Sequence, residues 1–227
     1  MLAHEVDCFA DTMGLDSDLL VPHNLTDGPP ATEEAARFDA VLVGGAGEFS
    51  VSKGNLPQQE GYLELLHELV SRGRPMFASC FGFHGLVAAL GGEVINDPER
   101  MEVGSYELRL TDNAAGDELF GKLPPRFHAQ LGHTDRAARL PDGLPNLGAS
   151  ELVPYQALRV PQAPIWATQF HPELDYRTSL ARFDYYLECQ AALGHQVDGE
   201  AEAFRERLRE SQEASSLLRA FYELVLG

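Results

Sequence analysis

The sequence predicts an α/β fold: a mostly parallel central sheet flanked by helices, with a small antiparallel sub-sheet and a C-terminal helical extension. Three observations predict it. Short β-prone apolar runs alternate with helix-period stretches through roughly the first ninety residues, the pattern of a parallel sheet covered on both faces. Two of those runs, 39–43 and 75–79, are almost continuously apolar, as strands buried on both faces are. Each runs into a turn built of small residues, and in open α/β sheets sites form at the carboxyl ends of strands.

Composition narrows the class of function. The chain has 227 residues, 44% hydrophobic and 23% charged, and a formal net charge of -18. That size and balance suit a soluble domain at 1–194 followed by an amphipathic helical extension at 195–227. The negative charge excludes a nucleic-acid backbone or an anionic membrane as the expected partner, since both would be repelled. No apolar run approaches the roughly 18 residues of a membrane span. The first residues carry no basic stretch followed by an apolar one, so no secretory signal is expected. Cys8, Cys80 and Cys189 are odd in number and far apart, which fits neither a disulfide framework nor a zinc pattern. A reducing, cytoplasmic location is expected.

The elements follow in order. Residues 2–13 place Leu2, Val6, Phe9, Ala10 and Met13 on one helical face, with Gly14 as the stop. A short strand is expected at 19–21, then a turn-rich stretch. The strand at 39–43 leads into Gly44, Gly45, Ala46 and Gly47. This loop lacks the Lys-Ser/Thr ending of a phosphate loop and the glycine spacing of a dinucleotide loop. It is either a tight turn or a set of backbone N–H groups turned toward an oxyanion. Residues 62–70 form a helix with Leu63, Leu66 and Val70 inward. From 94 to 111 the pattern changes, and Tyr106, Leu108 and Leu110 alternate with Glu107 and Arg109 as in a half-buried strand. Further strands are expected at 127–131, 152–160 and 165–170, then a helix at 178–192 with Leu180, Phe183, Leu187 and Ala191 inward. The charged helix or helix pair at 199–226 carries Phe204, Leu208, Leu218, Phe221 and Val225 on one side. That stripe packs on the domain or binds a second subunit, making a homodimer one expectation.

Residues 74–92 carry the chemistry. A short strand meets Cys80, small residues stand two positions either side of it (Ala78 and Gly82), and an apolar helical run follows until Gly91 and Gly92. This is the pattern of a strand–turn–helix elbow, where side chains at those two positions would collide. A thiol there lies near a helix N-terminus, whose dipole favours a thiolate. By itself the stretch reads equally well as a buried structural cysteine. The decisive partner lies far downstream. His171, Pro172 and Glu173 follow an apolar strand, and residues two apart in extended backbone point the same way. Glu173 can then fix the tautomer of His171 and support its protonated form, completing a nucleophile, base and orienter.

With these pieces in place, the chain resembles the class I glutamine amidotransferase family. It is most like the amidotransferase portion of GMP synthases, here in stand-alone form. The resemblance rests on GGAG (44–47), ASCFGFH (78–84), GHTD (132–135), YQALRV (155–160) and ATQFHPE (167–173), and covers about residues 1–193. It implies the flavodoxin-like fold of that family. It also implies that Cys80 attacks a side-chain amide of a γ-glutamyl compound and forms a γ-glutamyl thioester. His171 would serve as base and acid, Glu173 as its orienter. N–H groups of Phe81, Gly45, Ala46 and Gly47 would hold the oxyanion. His84, His133, Thr134 and Asp135 would line the substrate site. No metal or organic cofactor is implied.

The sequence departs from the family at three places. His84 stands where the family usually has a glutamine that grips the substrate head group. Thr134 follows His133 where a glycine is usual. The family's fold normally begins with a strand, whereas here a helix pattern starts at once, so an upstream start or a missing first strand is expected. The readings are then a glutaminase feeding ammonia to a separate synthase, a γ-glutamyl peptide hydrolase with no such partner, a non-catalytic binding protein, or an unrelated cysteine hydrolase of similar fold.

Overall fold

The computed structural model describes residues 2–192 and 200–227. The helices are α1 (Leu2–Met13), α2 (Thr32–Ala35), α3 (Gln59–Ser71), α4 (Phe81–Ala89), α5 (Tyr176–Ala192), α6 (Glu200–Arg207) and α7 (Gln212–Leu226). The strands are β1 (Val41–Val43), β2 (Met76–Ser79), β3 (Glu93–Asn96), β4 (Glu102–Leu110), β5 (Arg126–His133), β6 (Asp135–Arg139), β7 (Asn146–Ala149), β8 (Ala157–Val160) and β9 (Ile165–Thr168). Seven strands make one sheet in the order β1-β2-β9-β8-β7-β4-β5, and β3 pairs antiparallel with β6 in a second, two-stranded sheet.

The parallel part of the large sheet is the part that matters for the site. β1, β2 and β9 run parallel, with Val43 opposite Ala78 and Ser79 opposite Thr168. From β9 onward the neighbours β8, β7, β4 and β5 pair antiparallel. Three strand ends therefore finish side by side: the GGAG loop, Cys80 and the stretch leading to His171.

Alternation along each strand feeds two cores. Met76, Ala78, Ile165 and Ala167 point to one face and pack under α3 and α4 with Tyr62, Leu66, Leu69, Phe83 and Leu86. Phe77 and Trp166 point to the other and pack under α1 and α7 with Phe9, Met13, Leu217, Leu218 and Phe221. Phe221 is fully buried, edge-on to Phe77 at 5.6 Å and to Trp166 at 5.9 Å between ring centroids. The apolar stripe of the C-terminal segment thus lies on the sheet. α6 joins it through Phe204, whose ring stacks on Phe183 of α5 at 3.7 Å.

Several elements differ from expectation, each for a local reason. Residues 17–19 form a 3-10 turn instead of leading into a strand, because the Asp18 N–H donates to the Asp16 side chain; Leu19 and Val21 stay exposed. The inward face of α3 is Tyr62, Leu65, Leu66 and Leu69, with Leu63 and Val70 only partly covered, because the Tyr62 ring stacks on Phe81 of α4. The strand expected from 152 starts at Ala157, after a turn in which the Ser150 N–H donates to the Val153 carbonyl. β6 and β7 carry too few alternating apolar residues to stand out; pairing makes them strands. Residues 2–5 lie in helix α1, and β1 forms one edge of the sheet among the described residues. The boundary expected after Gly194 lies outside the described residues, as does the side chain of Ala191. Among the described residues no helix is long and apolar enough to cross a membrane.

Because Phe221 joins two buried rings across the α7–sheet contact, Phe221→Ala is expected to cost about 3–5 kcal/mol of unfolding free energy. Urea denaturation measures it. A loss below about 1 kcal/mol would show that α7 adds little to this core.

Candidate active site

The elbow forms as its small residues demand. Cys80 has φ 50° and ψ -98°, one of two non-glycine residues with positive φ among those described. Its N–H donates to the Thr168 carbonyl at 2.7 Å, which ties the turn to β9, and its own carbonyl accepts the first helical N–H, that of His84, at 3.0 Å. Gly82 is needed because α4 passes hard against β1: a Cβ there would stand 2.7 Å from the Val43 carbonyl oxygen. The N–H groups at the start of α4, Phe81 first, precede that first helical bond and have no intrahelical acceptor.

His171 is placed by three contacts. Its backbone N–H donates to the Gln130 carbonyl of β5 at 2.9 Å. Its Nδ1 is 2.6 Å from Glu173 Oε1, so Nδ1–H donates and Nε2 is left for Cys80. The Cε1 edge of the ring lies against the GGAG loop, where a Cβ at Gly45 would stand 2.7 Å from His171 Cε1. Burial alone would disfavour the imidazolium, but the Glu173 carboxylate and Cys80, which acts on the ring both as a charge and as a hydrogen-bond partner, outweigh it. The pKa of His171 is pushed up to about 10. Glu173 is fully buried. Burial works to raise its pKa, yet His171 and then Arg182 hold it below the ordinary carboxylate value.

The other expected site residues fall in the same region, but several are engaged internally. The Gly45 N–H, expected among the oxyanion donors, donates to Glu5 Oε1 at 3.1 Å. Among the described residues the N–H groups of Ala46 and Gly47 find no acceptor, so with Phe81 they remain open donors. His133, at the end of β5, holds the Asp135 carbonyl with Nδ1 and the buried Glu102 carboxylate with Nε2 at 3.1 Å. Thr134 is a half-buried link between β5 and β6, its carbonyl accepting the Asp97 N–H. The Asp135 carboxylate is engaged internally. It accepts from Ser50 Oγ at 2.7 Å, Ser52 Oγ at 2.8 Å, the Ser52 N–H at 3.1 Å and Asn96 Nδ2 at 2.9 Å. It therefore pins the loop after GGAG onto the small sheet. Burial works to raise its pKa, and these donors overcome that and lower it.

His84 lies one helical turn beyond Cys80, and its Nε2 is 2.7 Å from Gln169 Oε1. Since the amide oxygen only accepts, Nε2 carries the proton. Burial chiefly, with His133 adding to it, lowers the His84 pKa to about 4, so the ring is neutral near pH 7. Among the described residues Gln169 Nε2 is buried without a partner. Sequence reading missed Glu102, Gln156, Ser50 and Ser52, which are tied to this region by partners distant in sequence, as the bonds of Glu102 to His133 and to Gln156 and of Ser50 to Asp135 illustrate. Gln169 carried a signal, sitting inside the stretch before His171.

Residues 20–183 match the family model for glutamine amidotransferase class-I. The chain belongs to the class I glutamine amidotransferase family. It is similar to the glutamine-hydrolyzing GMP synthase of Thermosipho africanus, 38% identical over 45% of this chain and 19% of that protein. It is also similar to the enzyme of the same name from Streptomyces avermitilis, 27% identical over 79% of this chain and 34% of that protein. The chain thus spans between about a fifth and a third of the length of these relatives. In fold it resembles a glutamine amidotransferase from Thermotoga maritima (TM-score 0.67, 20% identity, covering 88% of this chain and 82% of that one). It also resembles one from Methylobacillus flagellatus (TM-score 0.70, 17% identity, covering 97% and 86%).

The depressed pKa of Asp135 carries a pH signature. A lowered carboxyl pKa stabilises the fold fully above the unfolded value, about 3.9, and that stability is lost as pH falls through the folded value. Asp135→Asn is therefore expected to cost about 1–3 kcal/mol at pH 7. In urea melts, its deficit relative to the unsubstituted chain should shrink as pH falls below about 4.

Proposed function

We propose that this chain hydrolyses the side-chain amide of glutamine through a γ-glutamyl thioester on Cys80. The single observation that carries the reading is the buried His171 ring, held by Glu173 at 2.6 Å and near enough to the elbow cysteine Cys80 for that sulfur to help raise its pKa. The Cys80 thiolate attacks the amide carbon, and the oxyanion is taken by the open N–H groups of Phe81, Ala46 and Gly47. His171 gives its proton to the leaving nitrogen and ammonia departs. Acylation removes the sulfur's negative charge, one of the influences that hold the ring protonated, so neutral His171 is then free to take a proton from water. That water cleaves the thioester and releases glutamate. Glu173 keeps Nδ1 protonated and Nε2 facing the sulfur throughout.

The relatives named GMP synthase motivate the next step: ammonia passes to an acceptor-activating synthase outside these residues. A second reading, hydrolysis of a γ-glutamyl peptide or amine without ammonia transfer, is favoured by one observation. A neutral His84, engaged by Gln169, offers neither the paired donor and acceptor of a carboxamide nor a charge to an amino-acid head group.

Two measurements test the proposal. Ammonia release from glutamine is expected in the unsubstituted chain and to fall by at least about 10²-fold in Cys80→Ser and in His171→Asn. Turnover of glutamine should exceed that of a γ-glutamyl dipeptide. The reverse preference would move the assignment to the second reading, and turnover unchanged in Cys80→Ser would remove Cys80 as nucleophile.

A further inference from the structure

Two charged residues take no part in the chemistry above, yet they stand directly behind it. Glu5 of α1 accepts the Gly45 N–H with Oε1 at 3.1 Å and meets Arg182 of α5 with Oε2 at 2.7 Å from Nη2. Arg182 Nη1 is in turn 3.6 Å from Glu173 Oε1, the same oxygen that holds His171. Glu5 therefore touches both supports of the His171 ring. One is the Gly45 peptide on which the ring lies; the other is the guanidinium beside its carboxylate. A Cβ at Gly44 would collide with the Glu5 carboxylate, so the loop is closely fitted to it. The Glu5 and Arg182 side chains are 21% and 20% exposed, and Glu173 is 0% exposed. Exposed ion pairs are weak because water and salt screen them, whereas coupling along this mostly buried line is screened much less.

We propose that Glu5 and Arg182 are positioning residues that extend Cys80, His171 and Glu173 into one line of alternating charge, and so set both the seat and the proton affinity of His171. The inference rests on the reading of His171 as the proton carrier of the proposed reaction. The physical consequence is directional. Arg182 shares its charge between two carboxylates. Without the Glu5 charge it would be drawn wholly to Glu173, which would support the imidazolium less. Without Arg182, Glu173 would support it more. The other titratable groups around this line are His4, Asp7 and Cys8 on α1, Asp175 before α5, and Cys80 itself. None of them touches both supports of the ring.

The test is the titration of His171, followed by NMR of 13C-labelled histidine Cε1 in the full chain. A Cys80→Ser background removes the sulfur's own influence, and His171→Asn assigns the resonance by its absence. Glu5→Gln keeps the size of the side chain and an acceptor for Gly45 while removing the charge. It is expected to lower the His171 midpoint by about half a pH unit or more, and Arg182→Met to raise it. A purely structural role would move both the same way. An unmoved midpoint in Glu5→Gln, or shifts of one sign in both variants, overturns the proposal. Where Arg182→Met does not fold, Glu5→Gln alone decides. Undiminished glutamine hydrolysis in His171→Asn, read in a separate assay, would remove the role of His171 on which the inference rests.

Discussion

Cys80 sits at φ 50° and ψ -98°, a backbone conformation that costs a non-glycine residue on the order of 1–3 kcal/mol. Only surrounding structure can hold it there. The elbow is bonded to β9 through the Thr168 carbonyl and pressed against β1 at Gly82. Both strands are parallel neighbours of β2, so the constraint that strains Cys80 also fixes the ends of β1 and β9 beside it. The GGAG loop and His171 inherit their places from this arrangement. The burial of both sheet faces, with Phe77 and Trp166 under α1 and α7 and Met76 and Ile165 under α4, supplies the stability that offsets the strain.

Charge completes what the backbone begins. A buried imidazole would ordinarily lose its proton more easily, and His84 does, its pKa falling to about 4. His171, equally buried, goes the other way, to about 10, because the Glu173 carboxylate and the Cys80 sulfur face it. The two histidines are both buried and differ in what faces them: Gln169 and His133 around His84, Glu173 and Cys80 around His171. That contrast leaves His171 holding its proton, while His84 is neutral with its Nε2 proton committed to Gln169.

The legible part of this site was the part written in consecutive residues. Cys80 with Ala78 and Gly82, the GGAG loop, and His171 with Glu173 each form a local pattern with a steric or electrostatic reason, and the fold brings them together. The illegible part is pairing at a distance. Nothing near Glu5 in the sequence shows that it will meet Gly45 and Arg182, and nothing near Asp135 shows that Ser50 and Ser52 will saturate it. The same limit applies to the fold. Apolar strands such as β2 and β9 were visible, while β6 and β7 are strands only because neighbours pair with them. The rotation of α3 was hidden for a similar reason, since it follows from Tyr62 stacking on Phe81 rather than from the period of the helix.

The central claim is that Cys80 carries the γ-glutamyl group during turnover. Acid-quenching the chain within its first turnovers of glutamine, followed by peptide mass spectrometry, tests it most directly. The account predicts one γ-glutamyl group on the peptide containing Cys80, absent in Cys80→Ser. Steady turnover with that peptide unmodified, or the group carried by another residue, would contradict it.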